Sequence, residues 1–286
     1  MVWCVVVNWN GWRDTLVCLR TLASQSLQPL HVVVVDNGST DDSIEQLGAW
    51  MKTAESSPTT FSLLPSGANL GFARGSNLGV RQALEAGAEF VWLLNNDTEC
   101  PPDTLAKLVQ TARNGLSTGM VGTVLYYQSN PAKVQAWGGG RIHCGSGTAT
   151  HYLRPTVLES NSYLTFASVL IRTAVFQEIG LLHEGFFMYY EDSDFCLRVR
   201  KTEWKLAVAA DTAVLHKESA STEGTRNPFM EKTTASSGMR FLSRHSSLPW
   251  LSIPLFLMLK LGNRARRAEW AAFRAVLSGA ADYFRR

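Results

Sequence analysis

Short apolar runs alternate, along the first part of the chain, with segments whose apolar residues recur every three or four positions. The runs predict strands at residues 2–7, 30–35, 61–64 and 89–94. The segments between them predict helices at residues 12–25, 41–53 and 72–86, with another from Pro101 to about Asn114. Val- and Leu-rich strands that alternate with helices predict an α/β fold with a mostly parallel central sheet flanked by helices.

The pattern is mixed after Asn114. It predicts strands at residues 121–127, 163–172, 205–209 and 212–215, a Gly-rich loop or hairpin at 136–147, a short helix at 173–178 and a helix within 186–204. Residues 218–238 are rich in Gly, Ser and Thr, and we expect them to be mobile. The stretch 248–259 is strongly apolar, but it is too short to span a bilayer and is interrupted by Pro249 and Pro254.

The last predicted helix, residues 263–285, is amphipathic and basic. Its apolar stripe and the arginines beside it are Trp270, Phe273, Leu277, Ala281 and Phe284, with Arg267, Arg274 and Arg285. This pattern is typical of a helix lying in a membrane interface, and packing against the rest of the protein is the alternative. Residues 260–286 hold seven Lys or Arg and two acidic residues, whereas the whole chain has a net charge of only +3. We therefore expect a peripheral membrane surface as partner and no nucleic acid.

Polar residues follow the predicted strands where ligands of such sheets bind, at their carboxyl ends. Asn8 ends the first strand, Asp36 ends the second, and Asn95-Asn96-Asp97 end the fourth. A single carboxylate at a sheet edge fits Mg²⁺ or Mn²⁺, which fill their remaining positions with water and substrate phosphates. A capped turn is the alternative interpretation, because Asn and Asp are common in turns.

A second acidic group, Glu191, Asp192 and Asp194, lies between aromatic residues. Acids are favoured at a helix N-terminus, but three carboxylates in four residues could also supply a general base. His216 ends an apolar run and is either a structural histidine or a metal ligand. Five widely spaced cysteines with no CxxC pair argue against a disulfide framework and a zinc site, and indicate the reducing cytoplasm.

Taken in order, these segments resemble family 2 glycosyltransferases of the GT-A fold, and most closely the bacterial rhamnosyltransferase-like branch. The matching segments are VVVNWNGWRDTLVCLRTL, VVVVDNGSTDDS, NLGFARGSN, VWLLNNDT, the GGGRI loop, ASVLIRTAVFQEIGLLHEGFFMYYEDSDFCLRVR and VLH. The resemblance implies a catalytic domain over residues 1–217, with a nucleotide-binding half (1–114) and an acceptor-binding half (115–217). A mobile loop and a helical, membrane-proximal appendage, residues 218–286, would follow.

The resemblance also implies roles for individual residues. Nucleotide-sugar contacts would come from Asn8, Asp36, Asn69, Arg74, Asn95 and Asn96. Asp97 would hold the Mg²⁺ or Mn²⁺ ion together with His216, and Asp192 would be the catalytic base. Glu191, Asp194 and Trp137, the last in the Gly-rich loop, would support the base and the acceptor. Asn95 stands where the family's metal motif often has Asp, which weakens the expected metal site.

The activity that the resemblance implies is inverting transfer of a sugar from a nucleotide diphosphate to a hydroxyl group. The first expected donor is dTDP-L-rhamnose, followed by UDP-sugars. The acceptor would be a glycan or lipid-linked glycan of surface polysaccharide synthesis, at the inner face of the cytoplasmic membrane. Two alternatives stay open: a sugar-phosphate nucleotidylyltransferase, whose usual Gly-rich signature is missing here, and a non-catalytic protein that binds a nucleotide-sugar or a membrane surface.

Overall fold

A computed structural model describes residues 1–54, 56–217 and 227–285. The strands are β1 (Val2–Asn8), β2 (Leu30–Asp36), β3 (Thr60–Pro65), β4 (Phe90–Asn95), β5 (Thr98–Glu99), β6 (Thr118–Tyr127), β7 (Asn130–Trp137), β8 (Gly139–Ile142), β9 (Ala149–His151), β10 (Ser162–Leu164), β11 (Ser168–Arg172) and β12 (Lys205–His216). The helices are α1 (Trp12–Ala23), α2 (Ser43–Thr53), α3 (Phe72–Glu85), α4 (Thr104–Arg113), α5 (Thr173–Ile179), α6 (Glu191–Val199), α7 (Pro228–His245), α8 (Pro249–Arg266) and α9 (Trp270–Phe284).

The main sheet runs in the order β3-β2-β1-β4-β11-β6-β12-β5, and β7 also pairs with β6. Strands β3, β2, β1 and β4 are parallel, β11 is antiparallel to both of its neighbours, and β12 is parallel to β6. The expected α/β fold is therefore confirmed, but the sheet is mixed, with its parallel run confined to β3-β2-β1-β4 and the pair β6-β12. A smaller antiparallel sheet, β10-β8-β9, contains the predicted Gly-rich hairpin.

Both faces of the main sheet are buried, as the continuous apolar strands predict. Successive side chains of a strand point to opposite faces. Val5 of β1 therefore packs in the core on the α3 side, whereas Cys4 and Val6 pack with Leu19 of α1 and Leu105 of α4. Helices cover the two faces, so the strand ends are the part of the sheet left open to a ligand.

Three predicted strands have different bounds in the structure. Residues 163–172 do not form one strand, because Thr165 to Ala167 separate β10 from β11 and the two belong to different sheets. Residues 205–209 and 212–215 are instead one strand, β12, whose register against β6 shifts between Ala209 and Ala213. A bulge of this kind bends a strand without ending it.

The C-terminal region contains more helix than the sequence predicts. Of the segment expected to be mobile, residues 218–226 lie outside the described residues, and the rest is helical because α7 begins at Pro228. The Asn227 side chain caps this helix by accepting a hydrogen bond from the Phe229 N–H. The predicted helix 263–285 is two helices, and α8 continues through the exposed Pro254.

The C-terminal helices pack on the rest of the protein and do not form a separate body. Met239 and Phe241 of α7 and Phe256 of α8 join the same core as the β-strands. α9 packs closely on α7, since a Cβ at Gly279 would lie 2.1 Å from the Lys232 carbonyl oxygen. Among the described residues, no helix has the length and apolarity needed to cross a membrane.

Candidate active site

A cavity of about 1230 Å³ opens at the carboxyl ends of β1, β2 and β4. Many of the predicted site residues line it: Asn69, Asn95, Asn96, Asp97, Glu191, Asp192 and His216. Its walls come from distant parts of the chain, since residues 146–149 and the helices α7 and α8 contribute as well. The structure therefore brings the two acidic motifs of the sequence to one pocket.

One side of the cavity is built around Asp97 and His216. The turn after β4 carries Asp97, and β12 ends at His216, whose Nε2 lies 3.2 Å from Asp97 Oδ1. Asn95 Nδ2 lies 3.2 Å from the same nitrogen. The other ring nitrogen, Nδ1, lies 2.7 Å from Gln135 Oε1. When Nδ1–H donates to Gln135, Nε2 is left with its lone pair facing Asp97.

This pair suits a divalent cation. An imidazole lone pair and a carboxylate oxygen facing one another repel unless a proton or a metal ion lies between them, and both are good ligands for Mn²⁺. No group of three or more His, Cys, Asp or Glu side chains gathers anywhere in the described part of the chain. A cation bound by Asp97 and His216 would therefore complete its coordination with water and phosphate oxygens, as Mg²⁺ commonly does.

The residues at the ends of the strands near Asp97 form a network of side-chain hydrogen bonds. Asn96 Nδ2 donates to Thr15 Oγ1 (2.9 Å), which donates to Asn8 Oδ1 (2.8 Å). Asn8 Nδ2 donates to Asp36 Oδ2 (2.9 Å), whose other oxygen accepts from the Ser39 N–H (3.0 Å). The register of β1 against β2 sets this contact, because Asn8 and Asp36 are paired.

The contacts of Asn8 and Asp36 with the nucleotide stay a prediction, and the structure places both residues within this network. Both are fully buried, and neither lines the cavity. Their neighbour Asn37 does line it and donates to Asn69 Oδ1 (3.2 Å). Asn8 and Asp36 therefore hold the loops that form the cavity floor.

Arg74 and Trp137 also lie away from the cavity. Arg74 is half-exposed on α3, with its Nε 3.4 Å from Glu184 Oε2. Trp137 pairs with Val124 in the sheet, and its backbone N–H donates to the Tyr152 carbonyl. Their expected contacts with the nucleotide and the acceptor stay predictions, and neither residue takes part in the geometry described above.

The other side of the cavity carries Glu191 and Asp192 at the start of α6. The two preceding residues, Tyr189 and Tyr190, both have left-handed backbone angles (φ 68° and 69°). Such angles are strained for residues other than glycine and are concentrated at functional sites. The Tyr190 hydroxyl donates to the Gly147 carbonyl (2.9 Å), which fixes the turn. This turn directs the first residues of α6 into the cavity.

Glu191 and Asp192 have unlike surroundings. Burial raises the pKa of Glu191, and the neighbouring Asp192 charge raises it further. Glu191 Oε2 has no hydrogen-bond partner among the described residues. Burial also raises the pKa of Asp192, but its Oδ1 accepts hydrogen bonds from the Ser193 N–H (2.6 Å) and hydroxyl (3.2 Å), which favour the ionised form. Glu191 therefore keeps the proton, and Asp192 is the carboxylate available to accept one.

Asp194 points away from the cavity, and its expected contact with the acceptor stays a prediction. Its carboxylate is fully buried and accepts from Arg198 Nε (2.9 Å), Arg244 Nε (2.8 Å) and His245 Nε2 (2.8 Å). Burial acts to raise the pKa of Asp194, but the hydrogen bonds from His245 and Arg244 outweigh it and hold this pKa well below its ordinary value. Asp194 thus binds α7 to the helix that carries Asp192.

Several cavity residues are not predicted from the sequence. His151 of β9 lines the cavity, its charge lowers the pKa of Asp192, and its Nδ1 lies 3.2 Å from the Gln135 carbonyl oxygen. Lys217 lines the opposite side and pairs with Asp14 at 2.8 Å. The Gly-rich composition around Gly147 is the one local sequence signal for the wall that contains residues 146–149 and His151. Nothing in the sequence marks α8 as a wall.

The comparisons with known proteins agree with this geometry. The model of the glycosyl transferase family 2 matches residues 3–180. The N-acetylglucosaminyl-diphospho-decaprenol L-rhamnosyltransferase of Mycobacterium tuberculosis is 28% identical over 277 residues, which cover 87% of each protein. The low-salt glycan biosynthesis hexosyltransferase Agl10 of Haloferax volcanii is 25% identical over 75% of this chain and 66% of its own length. The dTDP-rhamnosyl transferase RfbF of Shigella flexneri is 24% identical over 75% of this chain and 68% of its own.

Solved structures share the fold. The mannosyltransferase PcManGT of Pyrobaculum calidifontis, determined with GDP-Man and Mn²⁺, aligns with a TM-score of 0.61 at 16% identity and covers 99% of this chain and 86% of that one. GalNAc-T7, determined with UDP, GalNAc and Mn²⁺, aligns with a TM-score of 0.68 at 15% identity over 85% of this chain and 48% of its own. Both are GT-A glycosyltransferases, so the fold is GT-A. Because the family model matches more than half of the chain, this chain belongs to glycosyl transferase family 2.

Proposed function

We propose that this glycosyltransferase is an inverting enzyme that moves a sugar from a nucleotide diphosphate to a hydroxyl of a lipid-linked glycan. The observation that carries the proposal is the shared cavity of Asp97 and Asp192. The first donor to test is dTDP-L-rhamnose, because rhamnosyltransferases from Mycobacterium tuberculosis and Shigella flexneri are among the relatives. UDP-sugars come next. Residues 1–114 would bind the nucleotide and residues 115–217 the acceptor, with α7 and α8 completing the cavity.

The reaction would proceed by a single displacement. The acceptor oxygen forms a bond to the anomeric carbon while the bond from that carbon to the phosphate oxygen breaks, and its electron pair leaves with the nucleotide diphosphate. The acceptor proton passes to Asp192, whose carboxylate is kept ionised by Ser193. A positioned general base typically contributes a factor of about 10²–10⁴. Protonated Glu191 leaves the site with one negative charge instead of two.

Asp97 and His216 would hold the Mg²⁺ or Mn²⁺ ion on the opposite side of the cavity. The ion would offset the negative charge that develops on the leaving diphosphate. Gln135 orients the His216 ring so that Nε2 faces Asp97. Lys217, adjacent in sequence to His216, adds a positive charge at the same wall.

The C-terminal helices would bring the enzyme to the inner face of the cytoplasmic membrane. The predicted stripe of α9 is turned outward, with Trp270, Leu277 and Phe284 at 57%, 47% and 74% exposure. Trp250 of α8 is exposed as well, at 73%. Large apolar side chains next to a basic segment suit the surface of an anionic bilayer.

The test is a panel of dTDP- and UDP-sugars, with and without Mn²⁺, scored for release of nucleoside diphosphate. We expect Mn²⁺-dependent release by the native protein and a loss of that dependence in Asp97→Ala. Asp103→Asn, a change in an exposed ion pair with Lys107, is the control and should behave like the native protein. Unchanged Mn²⁺ dependence in Asp97→Ala would remove Asp97 from the cation site.

The same panel separates the alternative functions. A sugar-phosphate nucleotidylyltransferase would form inorganic diphosphate and not a nucleoside diphosphate. A non-catalytic protein would bind a nucleotide-sugar without releasing either product.

A further inference from the structure

Helix α8 separates the active-site cavity from an exposed apolar surface. One face of the helix lines the cavity, with Phe256, Leu259, Lys260, Asn263 and Arg264. The neighbouring face carries exposed apolar residues, which we call the α8 stripe: Leu251, Leu255, Met258 and Leu259. Their spacing of three and four residues aligns them along the helix. Leu259 belongs to both faces, so the apolar surface is continuous with the cavity.

A chain of contacts links the α8 face of the cavity to the catalytic carboxylates. Phe256 packs against Gly147, where a Cβ would lie 3.5 Å from its ring. The Gly147 carbonyl accepts the hydrogen bond of the Tyr190 hydroxyl, and Tyr190 directly precedes Glu191. A molecule with its reacting hydroxyl near Asp192 could therefore continue along this wall to the α8 stripe.

Polar groups lie where the two faces meet. Arg264 is 4% exposed and is held by two carboxylates, with Nη1 2.8 Å from Glu269 Oε2 and Nη2 3.1 Å from Glu231 Oε1. Its Nε is buried and has no hydrogen-bond partner among the described residues. Lys260 Nζ lies 3.8 Å from Glu231 Oε2, and the Asn263 amide lies one turn further on.

The charges of this group balance, because Glu231 and Glu269 offset Lys260 and Arg264. An anion would therefore be recognised by fixed N–H donors more than by net charge, and the carboxylates would hold the arginine in place beforehand. Phosphate oxygens accept several N–H groups at once and suit such a cluster.

We infer that α8 binds the non-sugar part of the acceptor: a phosphate or diphosphate at Lys260, Asn263 and Arg264, and an aliphatic chain along the α8 stripe. The inference rests on the proposed transfer to a lipid-linked glycan and identifies the part of the protein that recognises the lipid. The sugar end of the acceptor then extends into the cavity toward Asp192. The occupant of the stripe is thus the substrate's own chain and not the general surface of a bilayer.

The test uses the full chain and dodecyl diphosphate as probe, below its aggregation concentration, with binding measured by calorimetry. Inorganic diphosphate and dodecyl maltoside serve as probes with only one of the two features. We expect dodecyl diphosphate to bind more tightly than either. The variant Leu255→Ser/Met258→Ser should weaken its binding by about tenfold, because both side chains lose apolar contact with the chain.

Leu277→Ser is the matched control, because Leu277 is a similarly exposed leucine on α9. It should bind dodecyl diphosphate like the native protein. An equal loss in this control would indicate general adsorption to apolar surface and would overturn the inference, as would equal binding by the α8 variant and the native protein. Tighter binding of dodecyl maltoside than of dodecyl diphosphate would remove the phosphate from the proposal.

Failure of this inference is distinguishable from failure of the proposed function. In the nucleotide-sugar panel water takes the place of the acceptor, so release of nucleoside diphosphate by the native protein requires no lipid. Release without binding of dodecyl diphosphate would reject the α8 site and keep the transferase. Absence of release with every donor, both with water alone and with a lipid-linked glycan added, would reject the proposed reaction itself.

Discussion

Replacing Asp194 by Asn should destabilise the protein strongly although Asp194 lies outside the cavity. The substitution keeps the shape of the side chain and removes a fully buried charge that meets Arg198, Arg244 and His245. Breaking a buried ion pair by removing one partner costs about 3–5 kcal/mol, because the remaining charge is left uncompensated. Arg244 is one-third exposed and can regain water, so we expect the lower end of this range, about 3 kcal/mol.

Thermal unfolding at pH 7 is the appropriate assay. A loss of about 3 kcal/mol corresponds to a fall in Tm of roughly 5 °C for a chain of this size. Glu89→Gln, which breaks the exposed pair with Arg113, is the control and should cost less than about 1 kcal/mol. A fall in Tm for Asp194→Asn no larger than that of the control would refute the proposed connection between α6 and α7.

The effect of Asp194 should also depend on pH in a defined direction. Its pKa in the folded protein is held below that in the unfolded chain, so its contribution to stability is fully present above about pH 4. The contribution is lost as the pH falls through the folded-state pKa. The difference in Tm between the native protein and Asp194→Asn should therefore narrow in strong acid, and a difference that stays constant would contradict the assignment.

Three further substitutions test other parts of the site. Glu191 has a raised pKa, so its ionisation opposes folding as the pH rises above about 4.3. Glu191→Gln should therefore raise Tm relative to the native protein more at pH 8 than at pH 5. An equal rise in Tm at both pH values would contradict this. Gln135→Leu removes the hydrogen-bond acceptor of His216 Nδ1 and should weaken Mn²⁺ binding by roughly 10–100-fold. Binding is measured by electron paramagnetic resonance in the absence of nucleotide-sugar. Unchanged affinity would reject the orienting role of Gln135. Gly71→Ala should lower the free energy of unfolding by at least about 1 kcal/mol in chemical denaturation. Gly71 has φ +80°, and a Cβ would lie 2.2 Å from the Phe187 carbonyl oxygen. An unchanged free energy of unfolding would show that the loop can move.

The first part of the fold, residues 1–114, could be predicted from local pattern. Strands β1, β2 and β4 are continuous apolar runs that end in polar residues, and the rule for parallel sheets places those ends together. The approach of Asp97 to His216 follows from the pairing of β12 with β5, which joins segments more than one hundred residues apart. The sequence marks both residues, but only the structure brings them to 3.2 Å.

The part of the fold after Asn114 could be predicted less well, because its walls depend on tertiary packing. The break at Thr165–Ala167 lies within a mostly apolar segment, and the bulge in β12 resembles a gap between strands. Pro254 suggests an interruption, yet α8 passes through it on its exposed side. Asn8 and Asp36 have the right residue types at the right strand ends, but their hydrogen bonds are satisfied within the protein. Residue type and position along a strand therefore do not reveal whether a polar side chain faces the ligand.

The most direct test of the central claim is to measure donor binding and sugar transfer side by side in Asp192→Asn. If the cation side and the base side act on one bound nucleotide-sugar, the variant should bind the donor with native affinity in the presence of Mn²⁺ while transfer falls by about 10² or more. Transfer at the native rate would contradict the account, because the base would then have to lie elsewhere.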